Sequence, residues 1–351
     1  MGVDLEAKNY PKTANSGEPS TSKEALATIK DPVEAVEWVA AYREYDALRK
    51  RSNDFISKYA SLVGDKGTIR GSYTKNVSTG RLSCRRPNLQ QVPKRGELQS
   101  KEGMRIRDIF RASPGDVFVV ADFEQVELLL AATLAQEETM LAIFERGEDV
   151  HTETASWVLG KPKDEVSKEE RTLAKALNFG LIYGCSADKL RESATNNYGV
   201  PITLNQAKQY RRTFFEKYPR LAEWHVSVEK ECNAGQQYTT TPLGRRRKMP
   251  VWENSNTPAH TVAKNAPVQG AGADAIKLTM AKLFEDRHNC PGNPRLNASV
   301  HDEIVLSVAE EDKDAAIEWV KRHMAQAERE AVGDPDSPIH VDVEALPSWG
   351  G

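Results

Sequence analysis

Val117-Phe118-Val119-Val120-Ala121-Asp122-Phe123-Glu124-Gln125-Val126-Glu127-Leu128-Leu129 is the stretch on which the fold turns. Its first four residues are apolar, three of them β-branched, and they follow the turn-former pair Pro114-Gly115. That combination predicts a short buried strand. From Val126 to Ala135 the pattern becomes helical, so the chain switches from strand to helix at Asp122. A carboxylate at the carboxyl end of a buried strand is held rigidly yet opens to a cleft. Taken alone, Asp122 reads equally well as a cap for the helix that follows.

Working outward, residues 1–30 are polar and form a loose lead-in. Asp31-Pro32 has the form of an N-cap and a first-turn proline, opening a helix with apolar Val36, Val39 and Ala40 that runs to about Tyr59. Residues 66–107 hold eleven Lys/Arg against two acids, interleaved with Gly, Ser, Thr and Asn. This is the composition of a surface that tracks phosphates, with a solvated loop as the plain alternative. Downstream, residues from about Gln136 to Asn233 read as mostly helical. Arg295 to Val308 reads as two strands folded about His301-Asp302-Glu303. A helix with Ile317, Val320 and Met324 on one face follows, then a strand alternating Ile339, Val341 and Val343. The expected class is α+β, a sheet interrupted by a helical insertion.

Composition narrows the field. The chain has 351 residues, enough for two or three domains, and 39% hydrophobic and 28% charged residues, enough for a real core. No run approaches the roughly 18–20 apolar residues of a membrane span. The amino terminus carries neither an apolar signal core nor an arginine-rich amphipathic pattern. The four cysteines form no C-x-x-C pair, which argues against a disulfide scaffold and for a reducing compartment. A net charge of −3 says nothing about nucleic acid; the local basic stretch does.

Three constellations carry chemistry. Asp122 is the first. The second is Asp302-Glu303, where acids at a hairpin tip are ordinarily turn formers. If the two strands are neighbours, Asp122 and Asp302 face each other. Two bare carboxylates about 4 Å apart repel by roughly 4 kcal/mol at an effective dielectric near 20. A divalent cation turns that repulsion into coordination, and oxygen-only ligands suit Mg²⁺ or Mn²⁺. In the third, Ser167-Lys168-Glu169-Glu170 fits a capping box, opening a helix that should end near Gly184. Along it Arg171, Lys175, Phe179 and Tyr183 recur at i+4, one slowly rotating stripe. Cations can hold a polyphosphate and aromatics can stack on a base or sugar; inward-packing aromatics on a surface helix are the alternative.

Together these residues resemble the polymerase domain of family A DNA polymerases, the bacterial DNA polymerase I class. DFEQVELL (Asp122–Leu129), RTLAKALNFGLIYG (Arg171–Gly184) and VHDE (Val300–Glu303) correspond to its three signature motifs. TGRLS (Thr79–Ser83), PNLQQVP (Pro87–Pro93), Val150-His151, GRRR (Gly244–Arg247) and NAPVQG (Asn265–Gly270) appear around them in family order. The similarity runs from about Gly17 to the carboxyl terminus.

The resemblance implies a right-hand polymerase fold. Its antiparallel-sheet palm would be residues 66–134 and 263–351, its inserted helical fingers 135–262, and a partial thumb 31–65 after the lead-in 1–30. It implies a DNA polymerase adding dNTPs to the primer 3′-hydroxyl of a primer–template, with two Mg²⁺ ions (Mn²⁺ substituting) on Asp122, Asp302 and the Phe123 carbonyl, and Glu303 as a further catalytic acid. His151, Arg171 and Lys175 would hold the triphosphate, Lys175 protonating the leaving group. Gln125, Phe179 and Tyr183 would shape the nucleotide site, and Glu127 would exclude a ribose 2′-hydroxyl. Arg81, Asn265, Gln269 and His301 would contact DNA at the primer terminus and minor groove. A cytoplasmic location in a bacterial or phage-infected cell goes with this.

Departures from the pattern carry expectations of their own. Glu124 stands where Ser is usual, adding a carboxylate near the metals. Leu129 and Thr261 stand where Arg is usual, which predicts a looser grip on duplex. Phe179, where some members have Tyr, predicts poor use of dideoxynucleotides. The short thumb predicts low processivity, and the chain leaves no room for nuclease domains. A separate thumb or nuclease subunit, or a processivity factor, would be the corresponding partner. A single-subunit RNA polymerase and a catalytically dead DNA-binding module are the competing readings; Glu127 and the intact acids argue against them.

Overall fold

The computed structural model describes residues 12–13, 17–21, 23–26, 33–75, 77–93, 105–250 and 258–351. The expected cap at Asp31-Pro32, most of the lead-in and residues 94–104 of the basic stretch lie outside them. The chain divides into two compact units, Met1–Arg70 and Gly71–Gly351.

The first unit contains α1 (Lys23–Leu26) and α2 (Val33–Lys50), which continues through a π-helical segment, Arg51–Ser57, into α3 (Lys58–Ala60). The helix expected to reach Tyr59 therefore does so, widening from α to π geometry over Arg51–Ser57 and returning to α at Lys58. Val39 is buried and Ala40 is exposed, so the inward face is narrower than the apolar pattern implied.

The second unit opens with a short hairpin, β1 (Ser72–Thr74) and β2 (Ser83–Arg85). Then come β3 (Asp116–Phe123), α4 (Val126–Ala135), α5 (Glu138–Glu145), α6 (Val150–Leu159), α7 (Lys168–Leu181), α8 (Ala187–Tyr198), α9 (Leu204–Lys217) and α10 (Pro219–Asn233). A second hairpin follows, β4 (Tyr238–Thr240) and β5 (Arg246–Lys248), then α11 (Ala259–Glu285), β6 (Arg295–Val300), β7 (Glu303–Ala309), α12 (Lys313–Val332) and β8 (Val341–Leu346).

The main sheet is antiparallel throughout, in the order β6-β7-β3-β8. Its interior strands, β3 and β7, are mostly apolar, with five of eight and six of seven residues buried, whereas β8 at one edge alternates half-buried and exposed residues. Such alternation is what a one-sided edge strand requires. Ile339 lies just before β8, leaving only Val341 and Val343 of the expected alternation in the ladder.

Two helices close the core. In α12, Ala316, Trp319, Val320, His323, Met324, Ala327 and Ala331 are buried at helical spacing, and this face packs on β3, β7 and β8. In α4 nearly every residue is apolar, and Leu128, Leu129, Leu130, Ala131 and Ala132 are all 0% exposed. A helix apolar on every side has no solvent face; α4 is surrounded by α5, α10, α11 and α12. Val126 begins this helix directly after β3, so the core anchors the strand end that carries Asp122.

Candidate active site

The hairpin β6–β7 turns on two residues, His301 and Asp302, with Val300 opposite Glu303. So tight a turn requires a positive φ, which His301 supplies at 55°. Glu303 is thereby the first residue of β7, and the turn is one residue shorter than the polar run suggested. β7 pairs with β3, and Asp122 stands opposite Glu303. The Phe123 N–H donates to the Asp302 carbonyl at 3.3 Å, which fixes the hairpin tip against the end of β3. Asp122 and Asp302, both half-buried, are brought to the same strand end.

Glu303 is in a different situation from either. It is 3% exposed, and Arg107, itself 4% exposed, donates to both its oxygens at 3.0 and 3.1 Å. Trp349 Nε1–H donates to Oε1 at 2.8 Å, and the Arg107 guanidinium lies 4.0 Å from the Trp349 ring centre. On the other side of Asp122, Asp342 of β8 is its register partner. Register partners share a face, so Glu303, Asp122 and Asp342 form one row across the sheet. Together with Arg107, Glu344 and Trp349 they line a cavity of about 220 Å³.

Glu127, in the first turn of α4, joins three parts of the site. Its Oε1 is paired with Arg81, and its Oε2 accepts the Tyr183 hydroxyl at 2.6 Å. Arg81 also lies 3.7 Å from Asp302 Oδ1. Burial, and then the Glu127 carboxylate, push the Tyr183 phenol far above its ordinary range, so it is a hydrogen-bond donor at any working pH. Gln125, the N-cap of α4 at φ 51°, places its Nε2 3.3 Å from Asp149.

The cationic helix forms as expected. Ser167 and Glu170 close a reciprocal capping box, and α7 runs from Lys168 to Leu181. Tyr183 lies beyond its end, in a turn that Gly184 completes at φ 75°. Arg171 and Lys175 are both exposed. Lys175 makes no hydrogen bond or ion pair among the described residues. Arg171 grips Asp149 with two bonds, 2.8 and 3.0 Å. Burial works against ionising Asp149, but the bonds from Arg171 and Thr152 outweigh it and hold its carboxyl down at about 2. Asp149 also caps α6 through the Thr152 N–H, at 2.9 Å. Sequence reasoning missed this residue; an Asp immediately before Val150-His151 was the available signal.

His151 is 2% exposed, and burial lowers its imidazole to about 4, with Arg171 and Lys175 adding to the shift and Asp149 opposing it. It is therefore neutral near pH 7. Its Nδ1 is 2.9 Å from the Asn178 amide, and its ring packs on Phe179 with centres 5.8 Å apart. Asn265 and Gln269 sit half-buried one turn apart on α11, and His301 is exposed at the hairpin tip.

A sequence model of DNA polymerase family A matches residues 3–351. The chain belongs to DNA polymerase family A. Among similar proteins, the thermostable DNA polymerase I of Thermus aquaticus is 34% identical over 346 residues, covering 96% of this chain and 39% of that protein. DNA polymerase I of Aquifex aeolicus is 36% identical over 341 residues, covering 96% and 54%. The solved POL domain of Pol1 from M. smegmatis, in complex with DNA primer-template and dNTP, superposes with a TM-score of 0.81 at 29% identity, covering 97% of this chain and 58% of that one. The chain thus spans between about two fifths and three fifths of the length of these relatives.

Family A polymerases are metal-dependent. Among the described residues no group of three or more His, Cys, Asp or Glu is arranged to hold a metal. The donors available are two half-buried carboxylates at one strand end, a hard oxygen set that suits a cation retaining water and binding phosphate. The donor chemistry fits Mg²⁺.

Measured against the family A pattern, the three departures differ. Glu124 is exposed beside the site, its N–H bonded to the His340 carbonyl at 3.0 Å. Thr261 is half-buried on α11. Leu129 is 0% exposed in the middle of α4, so the expectation that it removes a DNA-facing cation is corrected: this position faces core, not duplex. Among the described residues no helix is long and apolar enough to cross a membrane.

Proposed function

We propose that this chain performs template-directed DNA synthesis, joining dNTPs to a primer 3′-hydroxyl with release of pyrophosphate. The observation that carries the reading is the meeting of Asp122 and Asp302, far apart in sequence, at one end of β3. The relative solved with primer-template and dNTP supports the substrate class. In this reading residues 66–134 and 263–351 are the palm, 135–262 the fingers and 31–65 part of a thumb, and the enzyme works in the cytoplasm.

Asp122, Asp302 and the Phe123 carbonyl would hold two Mg²⁺ ions, or Mn²⁺ in their place, whose chemistry is to acidify the primer hydroxyl and to stabilise the leaving pyrophosphate. Lys175, uncommitted and exposed, meets the triphosphate and protonates the departing oxygen. Arg171 reaches the same phosphates by exchanging one charged partner, Asp149, for another. Neutral His151 contributes a hydrogen bond rather than a charge, because Asn178 holds its Nδ1 and leaves Nε2 as the other ring position.

Phe179 stacks on the incoming nucleotide, and Tyr183 lies near the templating base. Glu127, braced by Tyr183 and Arg81, occupies the 2′ side of the sugar. Gln125 shapes the same pocket through Asp149. Arg81, Asn265, Gln269 and His301 contact the primer terminus and the minor groove, where purine N3 and pyrimidine O2 recur in every correct pair. Glu303 acts by position, since Arg107 and Trp349 take both its oxygens. A separate thumb or nuclease subunit, or a processivity factor, is the corresponding protein partner.

The test is extension of a primed template by dNTPs with Mg²⁺, by wild type and Asp302→Ala. Extension that is abolished by a chelator and by Asp302→Ala is expected. Equal activity in both proteins, or a preference for rNTPs, sinks the assignment.

A further inference from the structure

The GRRR run of the β4–β5 hairpin has no part in the scheme above, yet one of its arginines reaches towards the reacting centre. Arg245 joins the loop at Thr79 to α11 through its guanidinium. Nη1 donates to the Thr79 carbonyl at 2.9 Å, and Nη2 donates to the Gly270 carbonyl at 2.6 Å and pairs with Asp274 Oδ1 at 2.5 Å. Asp274 is fixed in turn, because its Oδ2 accepts the Thr241 hydroxyl at 3.0 Å. The next carbonyl of the loop, that of Gly80, accepts from Lys277. Gly270, Asp274 and Lys277 follow one another at i+4 and i+3, so a single face of α11 meets the loop. This face adjoins Gln269.

Two glycines make room for the contact. Gly80 stands at φ 84°, a backbone conformation in which side chains are strained, and a Cβ there would fall on the Arg245 guanidinium. A Cβ at Gly270 would collide with the Thr241 methyl. The residue after Gly80 is Arg81, whose guanidinium pairs with Glu127 and lies 3.7 Å from Asp302. The loop is thus held from behind at two successive carbonyls while its next side chain points at the sugar gate and a metal carboxylate.

We propose that Arg245 is a positioning residue for sugar selection: by clamping Thr79 on α11, beside the Lys277 bond to Gly80, it sets the reach of Arg81, which braces Glu127. This rests on the polymerase reading. A planar guanidinium is needed because Nη1 must reach the Thr79 carbonyl while Nη2 holds two acceptors on α11, and one ammonium cannot span them. Lys277 is the second, weaker half of the clamp.

The experiment measures kcat/KM for a single dNTP and for the matching rNTP on a primed template, with the Tm of each protein alongside. The variants are Arg245→Gln, Arg245→Lys, Lys277→Met and, as control, Arg246→Gln, whose side chain lies on the Tyr238 ring 4.1 Å away. Arg245→Gln is expected to lower the dNTP:rNTP ratio about tenfold, the equivalent of one charge-assisted hydrogen bond. Arg245→Lys should recover part of this, Lys277→Met should lower the ratio about threefold with Tm little changed, and Arg246→Gln should leave the ratio as in wild type. An unchanged ratio in folded Arg245→Gln overturns the proposal, as does an equal fall in Arg246→Gln. If Arg245→Gln does not fold, an unchanged ratio in Lys277→Met overturns it. Wild type that extends primers while these variants keep full selectivity refutes the clamp alone; wild type that extends nothing refutes the polymerase reading and the clamp with it.

Discussion

Removing Arg107 should unfold the sheet more readily than removing any other single cation of the second unit, and a second substitution at Glu303 should largely undo the damage. The pair is 4% and 3% exposed, so each charge depends mainly on its partner rather than on bulk solvent. In Arg107→Met the Glu303 carboxylate loses both guanidinium bonds and its opposite charge while keeping the Trp349 N–H. An uncompensated buried charge of this kind costs about 3–5 kcal/mol, against a total of roughly 5–15 kcal/mol for a domain. Adding Glu303→Gln removes the orphaned charge and keeps a carbonyl oxygen to accept from Trp349. The double variant should therefore recover most of the loss, and with Glu303→Gln measured alone the cycle should show a coupling of about 2–3 kcal/mol. Urea unfolding followed by far-UV circular dichroism reads this directly. Two losses that simply add would show that the carboxylate and guanidinium do not depend on each other.

The same double variant separates position from chemistry. If Glu303 acts only through its buried pair, the refolded double variant should extend primers within about tenfold of wild type. Asp302→Asn should lose about 10³-fold or more, the scale of removing a group that stabilises transition-state charge. A stable double variant as inactive as Asp302→Asn would mean that Glu303 itself touches the reacting groups, and the assignment of a positional role would fall.

Lys175→Ala should lower kcat about 10²–10³-fold with little change in KM, as expected for a cation engaged mainly in the transition state; unchanged kcat with a raised KM in single-turnover assays would reduce it to a ground-state phosphate ligand. Glu328 of α12, 0% exposed, has its carboxyl raised to about 7 by burial, with the Ser337 hydroxyl bond and Arg329 opposing the shift. Since the folded protein keeps this proton up to about pH 7 while an unfolded Glu loses it near 4.5, the stability it confers is complete below pH 4.5 and is lost as pH rises through 7, a change of about 3 kcal/mol. Glu328→Gln should flatten that part of the stability profile and be the more stable protein at pH 8; parallel profiles in urea titrations between pH 5 and 8 would refute it.

How far the site could be read in advance depended on whether each signal was local. The capping box at Ser167 and Glu170, the helix it opens and the strand carrying Asp122 rest on local residues and formed, with ends shifted: the helix stops at Leu181 rather than near Gly184, and the strand runs one residue past Asp122 to Phe123. The burial of Leu129 was equally local, because VELLLAATLA is apolar but for Glu127 and Thr133; the expectation failed by weighing one departure from a family pattern above the nine residues around it. Charge pairing was a different matter. Arg107 with Glu303, Arg81 with Glu127, and Arg245 with Thr79 and Asp274 join residues brought together only by strand register and helix packing. One residue of register decides the outcome at the hairpin tip: a turn of two residues puts Asp302 at the strand end and Glu303 opposite Asp122, inside the ladder and within reach of Arg107. Had the turn taken Glu303 as a third residue, Ile304 would stand opposite Asp122 and both acids would lie at the tip, outside the ladder. The division of labour between neighbouring carboxylates is therefore a property of the hairpin, and a sequence reading that sees two acids side by side has no physical ground for telling them apart.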